Sequence, residues 1–263
     1  SQFQYFSGNN AAVLTFAWPS PGHIFGHFAD KRRSGEAAAD LALSIELLAE
    51  HSIAERINLL AYSAGGRTVA RALELLGARH HDPSSLRLGQ VYLTQSDQPM
   101  EEFLSGLPAY FDLLEAMNVT IAKGDAVLQM AALTDLKVRA GSVGEGQKMN
   151  LSPEIAERLE EIMRSKRMVI IDLKDVAAED YRFSHGAWYE SSWVSTDVMI
   201  ALLGGLSAEE RGLESREVPG AVVWRFPPQY IETLEADIEA WRREQDRLTD
   251  QAGEPAAESN LDH

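Results

Sequence analysis

The chain has 263 residues, of which 45% are hydrophobic, and its 40 acidic and 24 basic side chains give a formal net charge of −16. This negative charge argues against binding to nucleic acid or to an anionic membrane surface, because both need clustered basic side chains. The absence of cysteine excludes disulfides, thiolate nucleophiles and cysteine metal sites. No apolar run reaches the roughly 18 residues of a membrane-spanning helix, and the first residues lack the pattern of a signal peptide.

The chain opens with an apolar run that predicts a first strand over residues 13–18. Pro19 ends this strand, and a loop with aromatic residues follows it. The next predicted element is a helix over residues 35–50, with apolar residues at helical spacing and Ser34 as its N-cap.

A second strand is predicted over residues 57–62, and a helix follows it from about residue 66 to residue 76. Gly77 is expected to end that helix. Residues 88–95 read as a third strand, and residues 101–117 read as a broken helical stretch.

The second half repeats this alternation, with a fourth strand over 118–123 and a fifth over 167–173. A helix opened by Ser152 and Pro153 lies between these strands and runs to about residue 165, and another helix is predicted near residues 192–204. Helical spacing also marks a C-terminal helix through four apolar residues, Ile231, Leu234, Ile238 and Trp241.

Near-continuous apolar strands that alternate with amphipathic helices indicate the α/β class, with a mostly parallel sheet covered by helices on both faces. We predict a single domain over residues 1–250 and a polar, disordered tail over residues 251–263. In such sheets the chemistry gathers at the carboxyl ends of the strands.

One of these strand ends carries a serine between small residues. The pentapeptide AYSAG at residues 61–65 matches the G-x-S-x-G nucleophile elbow, with alanine in place of the first glycine. A tight strand-to-helix turn pushes Ser63 outward and brings the residues two before and two after it close together, so large side chains would clash there. The helix that starts at this turn offers backbone N–H groups for a developing oxyanion, and the N–H of Ala64 is the expected donor.

A serine nucleophile needs a histidine base and an acid that orients the histidine. Asp125 follows the fourth predicted strand and His185 follows the fifth, which is the chain order Ser, Asp, His of the hydrolase sheet. Asp97, just after the third strand, is the rival acid, although it also suits a turn. We favour Asp125 and leave Asp97 open.

The remaining histidines favour no other chemistry. His23 and His27 have a metal-like spacing, but they lie in a Pro/Gly-containing loop with no third ligand in view. The glycine-rich stretch at 139–146 lacks the Lys-Ser/Thr pair of a phosphate loop. We therefore expect no metal site and no cofactor.

Four segments together resemble a bacterial family of α/β hydrolases of unassigned function: FAWPSPG, LLAYSAGGRTVARAL, VTIAKGDAVL and FSHGAWYESSWVSTDV. The likeness spans about residues 6–205 and implies an α/β-hydrolase fold whose Ser-Asp-His set maps onto Ser63, Asp125 and His185. Family members often carry histidine before the nucleophile, where this chain has Tyr62.

The resemblance also implies that the strand at 13–18 corresponds to the fourth strand of the fold. The earlier strands, and the loop that usually supplies the second oxyanion N–H, should precede it. We therefore expect a second polypeptide, cut from the same precursor, to complete the sheet and the oxyanion hole. A simple truncation of the chain is the alternative.

The function expected from these residues is two-step acyl transfer on a small-molecule ester, through an acyl-enzyme at Ser63. The preference for esters over amides comes from the resemblance alone. A catalytically silent binding module with the same fold, or a serine peptidase or amidase, are the alternatives.

Overall fold

The computed structural model describes residues 11–18, 27–80, 82–121, 152–174, 176, 186–218 and 221–234, with the side chains of 27–34, 218 and 221 excepted. These ranges contain the α-helices α1 (His27–His51), α2 (Ala64–Gly77), α3 (Met100–Gly106), α4 (Pro153–Arg164), α5 (Ala187–Glu190) and α6 (Ser192–Gly204). Residues 230–234 are also helical. None of the helices in the described ranges combines the length and apolarity that crossing a membrane requires.

Six strands form one sheet: β1 (Ile57–Tyr62), β2 (Leu88–Thr94), β3 (Ala116–Ile121), β4 (Met168–Asp172), β5 (Glu214–Val218) and β6 (Ala221–Arg225). Their order is β1-β2-β3-β4-β6-β5, with parallel pairing from β1 through β4 to β6 and antiparallel pairing of β5 with β6. The predicted mostly parallel sheet is confirmed, and the carboxyl ends of β1 to β4 meet at one edge.

Two apolar cores cover the two faces of this sheet. One core joins α1, α2, α3 and α4 to the sheet, with fully buried residues such as Ile45, Leu73 and Leu107. The other joins α6, the β5–β6 hairpin and residues 230–234, around Val194, Trp224 and Phe226. Helices therefore pack on both faces, as the strand and helix pattern predicts.

The predicted strand at 13–18 is not a strand in the structure, where the segment forms no ladder with any described strand. Leu14 is 72% exposed and Val13 is 36% exposed, so the run is not a buried one. The reason is that apolar composition favours extended backbone but cannot supply a neighbour for its N–H and C=O groups. Phe16 nevertheless packs against the first core.

Helix α1 begins eight residues before the predicted start, so Ser34 is not its N-cap. Gly77 is the last residue of α2 rather than a left-handed stop after it, because the capping residue, Ala78, has ordinary right-handed dihedrals. A Cβ at Gly77 would lie 2.9 Å from the carbonyl carbon of Ala109. Close packing of two backbones explains this glycine.

The β5–β6 hairpin was not predicted from the sequence, although the apolar run of β6 follows a Pro-Gly pair. A buried polar network ties this region to the centre of the sheet. The Arg211 guanidinium donates to Asp197 Oδ1 at 2.7 Å and to Asn118 Oδ1 at 2.9 Å, and the Tyr92 hydroxyl donates to Asp197 Oδ2 at 2.7 Å.

The burial of this network shifts the pKa values of Tyr92 and Arg211. The Asp197 and Arg211 side chains are 0% and 1% exposed. Burial, together with the negative charge of Asp197, raises the pKa of Tyr92 well above its usual range. Burial opposes the charge on Arg211, but the interactions with Asp197, Tyr92 and Tyr230 together outweigh it and raise the pKa of the guanidinium. The hydrogen bonds of this network join α6 to strands β2 and β3.

Candidate active site

Ser63 lies between the last residue of β1 and the first residue of α2. Its backbone has φ 51° and ψ −119°, a region that side-chain-bearing residues rarely occupy. Such strain is retained where the surrounding structure fixes it, and it is the backbone state that a nucleophile elbow needs to lift a serine above a sheet.

The close approach predicted on the two sides of the serine is confirmed. A Cβ built on Gly65 would lie 3.8 Å from the Cβ of Ala61, which is ordinary contact. The same position lies 3.8 Å from the ring of Trp18, so the end of the 11–18 segment covers the elbow. Methyl-sized side chains fit at both positions and larger ones meet these neighbours.

The tighter constraint is at Gly66, which sequence reasoning missed. A Cβ there would lie 2.7 Å from the Cβ of Ser96, in the loop after β2. The second glycine of the Gly65-Gly66 pair is the only signal of this contact in the sequence. Gly66 therefore lets the loop after β2 pack directly on the elbow.

Ala64, the expected oxyanion donor, is the first residue of α2. Backbone N–H groups in the first turn of a helix have no acceptor within the helix, and the helix dipole there favours negative charge. Gly66 N–H in the same turn donates to the Ser63 carbonyl at 3.0 Å. The helix start is thus suited to hold an oxyanion, and the role of Ala64 stays a prediction.

The rival acid Asp97 lies in the loop after β2, and its side chain is 6% exposed. Its carboxylate accepts a hydrogen bond from Arg67 Nη2 at 3.1 Å, and its N–H donates to the Ser63 carbonyl at 3.1 Å. Asp97 is therefore close to the elbow through its backbone and is already ion-paired through its side chain. Asp125 and His185 lie outside the described residues.

The chain just after His185 nevertheless packs beside the elbow. The ring centroids of Trp188 and Tyr189, in the short helix α5, lie 6.1 and 6.0 Å from that of Tyr62. Tyr62 is the residue before Ser63. Trp188 thus packs on the residue before the serine, whereas Trp193 packs against Phe226 and Tyr230 in the second core.

A cleft of about 580 Å³ runs along α2 from Arg67 towards Glu74. Its opposite wall includes Gln98 and Glu102, and Arg71 lies between the two ends. Its lining includes two arginines and two glutamates, so the charged side chains along it have no excess of one sign.

The structure gives no support for a metal site: no group of three or more His, Asp or Glu residues in the described part of the chain could hold an ion. His80 instead lies with Nε2 2.9 Å from Glu46 Oε1. His23 and the side chain of His27 are outside the described residues.

Comparison with known proteins agrees with this architecture. No curated protein and no solved structure matches the chain. A family described as "Alpha/beta hydrolase of unknown function (DUF900)" matches residues 1–204, which is most of the chain. With its mostly parallel sheet and its strand-serine-helix turn, the chain belongs to this family of alpha/beta hydrolases of unknown function.

Proposed function

We propose that this chain is a serine hydrolase that cleaves small carboxylic esters through an acyl-enzyme on Ser63. The observation that carries the proposal is the backbone of Ser63, at φ 51° and ψ −119° between a parallel strand and a helix. An ordinary strand-to-helix connection can be made with unstrained dihedrals, so the strain at Ser63 favours a functional reason for this turn. Family membership supports hydrolysis at the coarse level.

In the proposed mechanism, His185 takes the proton from the Ser63 hydroxyl as its oxygen attacks the ester carbonyl. Asp125 orients the imidazole, and the Ala64 N–H stabilises the oxyanion. Collapse of the tetrahedral intermediate expels the alcohol, which receives the proton from His185. Water, activated by the same histidine, then releases the acid and restores the serine. The contact of Trp188 with Tyr62 supports the role of His185, because it holds the chain three residues after His185 beside the nucleophile.

Labelling with a fluorophosphonate tests the nucleophile. We expect the wild type to be labelled on the peptide that contains Ser63, Ser63→Ala to lose the label, and Ser44→Ala, on α1, to keep it. Absence of labelling in the completed, folded assembly would favour a binding module with this fold. Hydrolysis of a p-nitrophenyl ester, compared with the p-nitroanilide of the same acyl group, separates an esterase from a peptidase or amidase.

The acid is decided by the same probe. Asp125→Ala is expected to lower the labelling rate about 100-fold or more, as loss of the orienting acid does in serine triads. Asp97→Asn is expected to lower it little. The reverse result would assign the acid to Asp97.

We also propose that a second polypeptide completes the sheet and adds the second oxyanion donor. Among the described residues, β1 has a single strand neighbour, β2, and its sequence INLLAY carries no charge that would discourage pairing. Intact mass after purification under native conditions tests this. A single folded species of 29.0 kDa that labels at Ser63 would overturn it.

A further inference from the structure

Five consecutive polar residues, Thr94 to Gln98, are each at most 4% exposed. We name this stretch the TQSDQ segment. Burying a run of polar groups is unfavourable unless each finds a partner, so a buried run of this length marks a place where specific contacts matter. The Thr94 carbonyl and the Asp97 N–H of this segment bind the elbow, whereas the Gln95 N–H donates to Thr120 Oγ1 on β3 at 3.0 Å.

Both main-chain groups of Ser63 are bound by this segment. The Ser63 N–H donates to the Thr94 carbonyl at 3.1 Å, and the Asp97 N–H donates to the Ser63 carbonyl at 3.1 Å. A positive φ at a residue other than glycine persists only when its surroundings fix it. These two hydrogen bonds stabilise the strained backbone of Ser63, because one holds its N–H and the other holds its carbonyl.

The segment is in turn tied to the helix that begins at the elbow. Arg67, one turn after Ser63 on α2, donates from Nη2 to the Asp97 carbonyl at 3.0 Å and to Asp97 Oδ1 at 3.1 Å. The Arg67 and Asp97 side chains are 16% and 6% exposed, so solvent screens this ion pair little. Gly66, between the two attachment points, leaves the room that Ser96 needs.

We infer that Arg67 is a positioning residue for the nucleophile. It fixes Asp97, Asp97 fixes the carbonyl of Ser63, and the hydroxyl of Ser63 is thereby held in its attacking geometry. In the described part of the chain the hydrogen bonds of Arg67 go to Asp97, so Arg67 acts on the nucleophile through Asp97 and the backbone of Ser63. This inference rests on the proposed function for its catalytic consequence, but the structural link can be measured without catalysis.

The test compares Arg67→Met with Arg71→Met. Arg71 is one turn further along the same helix, lines the same cleft and pairs only with Glu74 among the described contacts of its side chain. We expect Arg67→Met to slow fluorophosphonate labelling of Ser63 about 10- to 100-fold, since small misplacements of a nucleophile cost that much. Arg71→Met should label within about twofold of wild type, and Arg67→Lys should recover part of the rate. Equal slowing in both variants would point to the cleft instead and overturn the inference.

A second readout is independent of activity. Amide hydrogen exchange at Ser63 and Asp97 should quicken in Arg67→Met while exchange in the interior of α2 stays slow. Unchanged exchange together with unchanged labelling would overturn the inference while the serine hydrolase proposal stands. If the wild type does not label at all, quicker exchange at these two amides still supports the positioning link, and the proposed function fails alone.

Two further variants test whether Arg67→Met slows labelling only because it misfolds, and whether Asp97 is itself the triad acid. Arg67→Met combined with Asp97→Asn leaves no lone buried charge, so it should fold and show the same slow labelling. Asp97→Asn alone keeps a side-chain oxygen for Arg67 and the backbone N–H that binds Ser63, so it should slow labelling less than Arg67→Met does. Loss of labelling in Asp97→Asn with unchanged amide exchange would make Asp97 the triad acid and overturn a purely positioning role for the pair.

Discussion

The indole of Trp188 packs against the ring of Tyr62, with centroids 6.1 Å apart and planes tilted by 49°. Tyr62 ends β1 and Trp188 lies in α5, beyond β4, so the contact joins two parts of the chain that are 126 residues apart. Tyr189 adds an edge-on contact to each of the two rings. The result is an aromatic cluster beside Ser63.

Trp188→Ala should therefore slow labelling of Ser63 about 10-fold or more, because the segment after His185 loses its anchor. Trp193→Ala is the matched control. It removes ring contacts with Phe226 and Tyr230 and should lower the free energy of unfolding by up to about 3 kcal/mol, leaving the labelling rate of the folded protein unchanged. Equal labelling rates in the two variants would show that the cluster does not serve the site.

Gly66→Ala should harm the site, whereas Gly35→Ala should stabilise the fold, although both place alanine in a helix. The Cβ at residue 66 would lie 2.7 Å from the Cβ of Ser96, so the TQSDQ segment must move and labelling of Ser63 should slow. A Cβ at residue 35 meets nothing within 4 Å, so alanine there should raise the free energy of unfolding by about 0.5–1 kcal/mol. Urea unfolding and probe labelling of both variants check this. Normal labelling in Gly66→Ala would contradict the predicted clash.

Asp197→Asn should be strongly destabilising, because it leaves the guanidinium of Arg211 buried without its counter-charge. Breaking a buried pair in this way costs about 3–5 kcal/mol of unfolding free energy. The exposed pair of Lys166 with Glu209 is the control, and Glu209→Gln should change stability little. Adding Arg211→Met to Asp197→Asn should recover part of the loss in urea unfolding. No recovery would mean that lost packing, not the uncompensated charge, causes the effect.

Stability should depend on pH through Glu46. The hydrogen bond from His80, with a further contribution from Arg79, lowers the pKa of this carboxyl below its ordinary 4.5. A lowered folded-state pKa stabilises the native state above the unfolded value, and this stabilisation is lost as the pH falls from 4.5 through the folded value. The stability that Glu46 adds, measured as the difference in unfolding free energy between wild type and Glu46→Gln, should thus be complete well above pH 4.5 and should shrink as the pH falls below 4.5. A difference that does not change between pH 6 and pH 3 would contradict this.

Several elements could be predicted from the sequence because their signals are local. Strand β1 and helix α6 have the predicted bounds, and the Ser152-Pro153 start of α4 is confirmed by the hydrogen bond from Ile155 N–H to the Ser152 hydroxyl. Short-range patterns of burial and capping suffice for such elements. The same holds for the strand-serine-helix join at Ser63.

Other features were decided by partners distant in the chain. The run at 13–18 has the composition of a strand but no described neighbour to pair with, whereas the less conspicuous β5–β6 hairpin extends the sheet next to β4. Gly77 ends α2 as predicted, but the reason for a glycine there is its close packing on the backbone of Ala109 and not a left-handed cap. Composition cannot tell a paired strand from an unpaired run, because it does not say which other segment lies beside that segment in the folded chain.

The α/β class, the serine elbow and the chain order of the candidate triad could all be predicted from the sequence, since each depends on residues adjacent in the chain or on the order of the strands. Only the tertiary structure gave Ser63 its positive φ, enclosed it between Thr94 and Asp97, and set Arg67 to hold that loop. The physical reason is that a strained backbone is stabilised by contacts from outside its own segment. Those contacts form only when the ends of β1 and β2 lie side by side in the folded sheet.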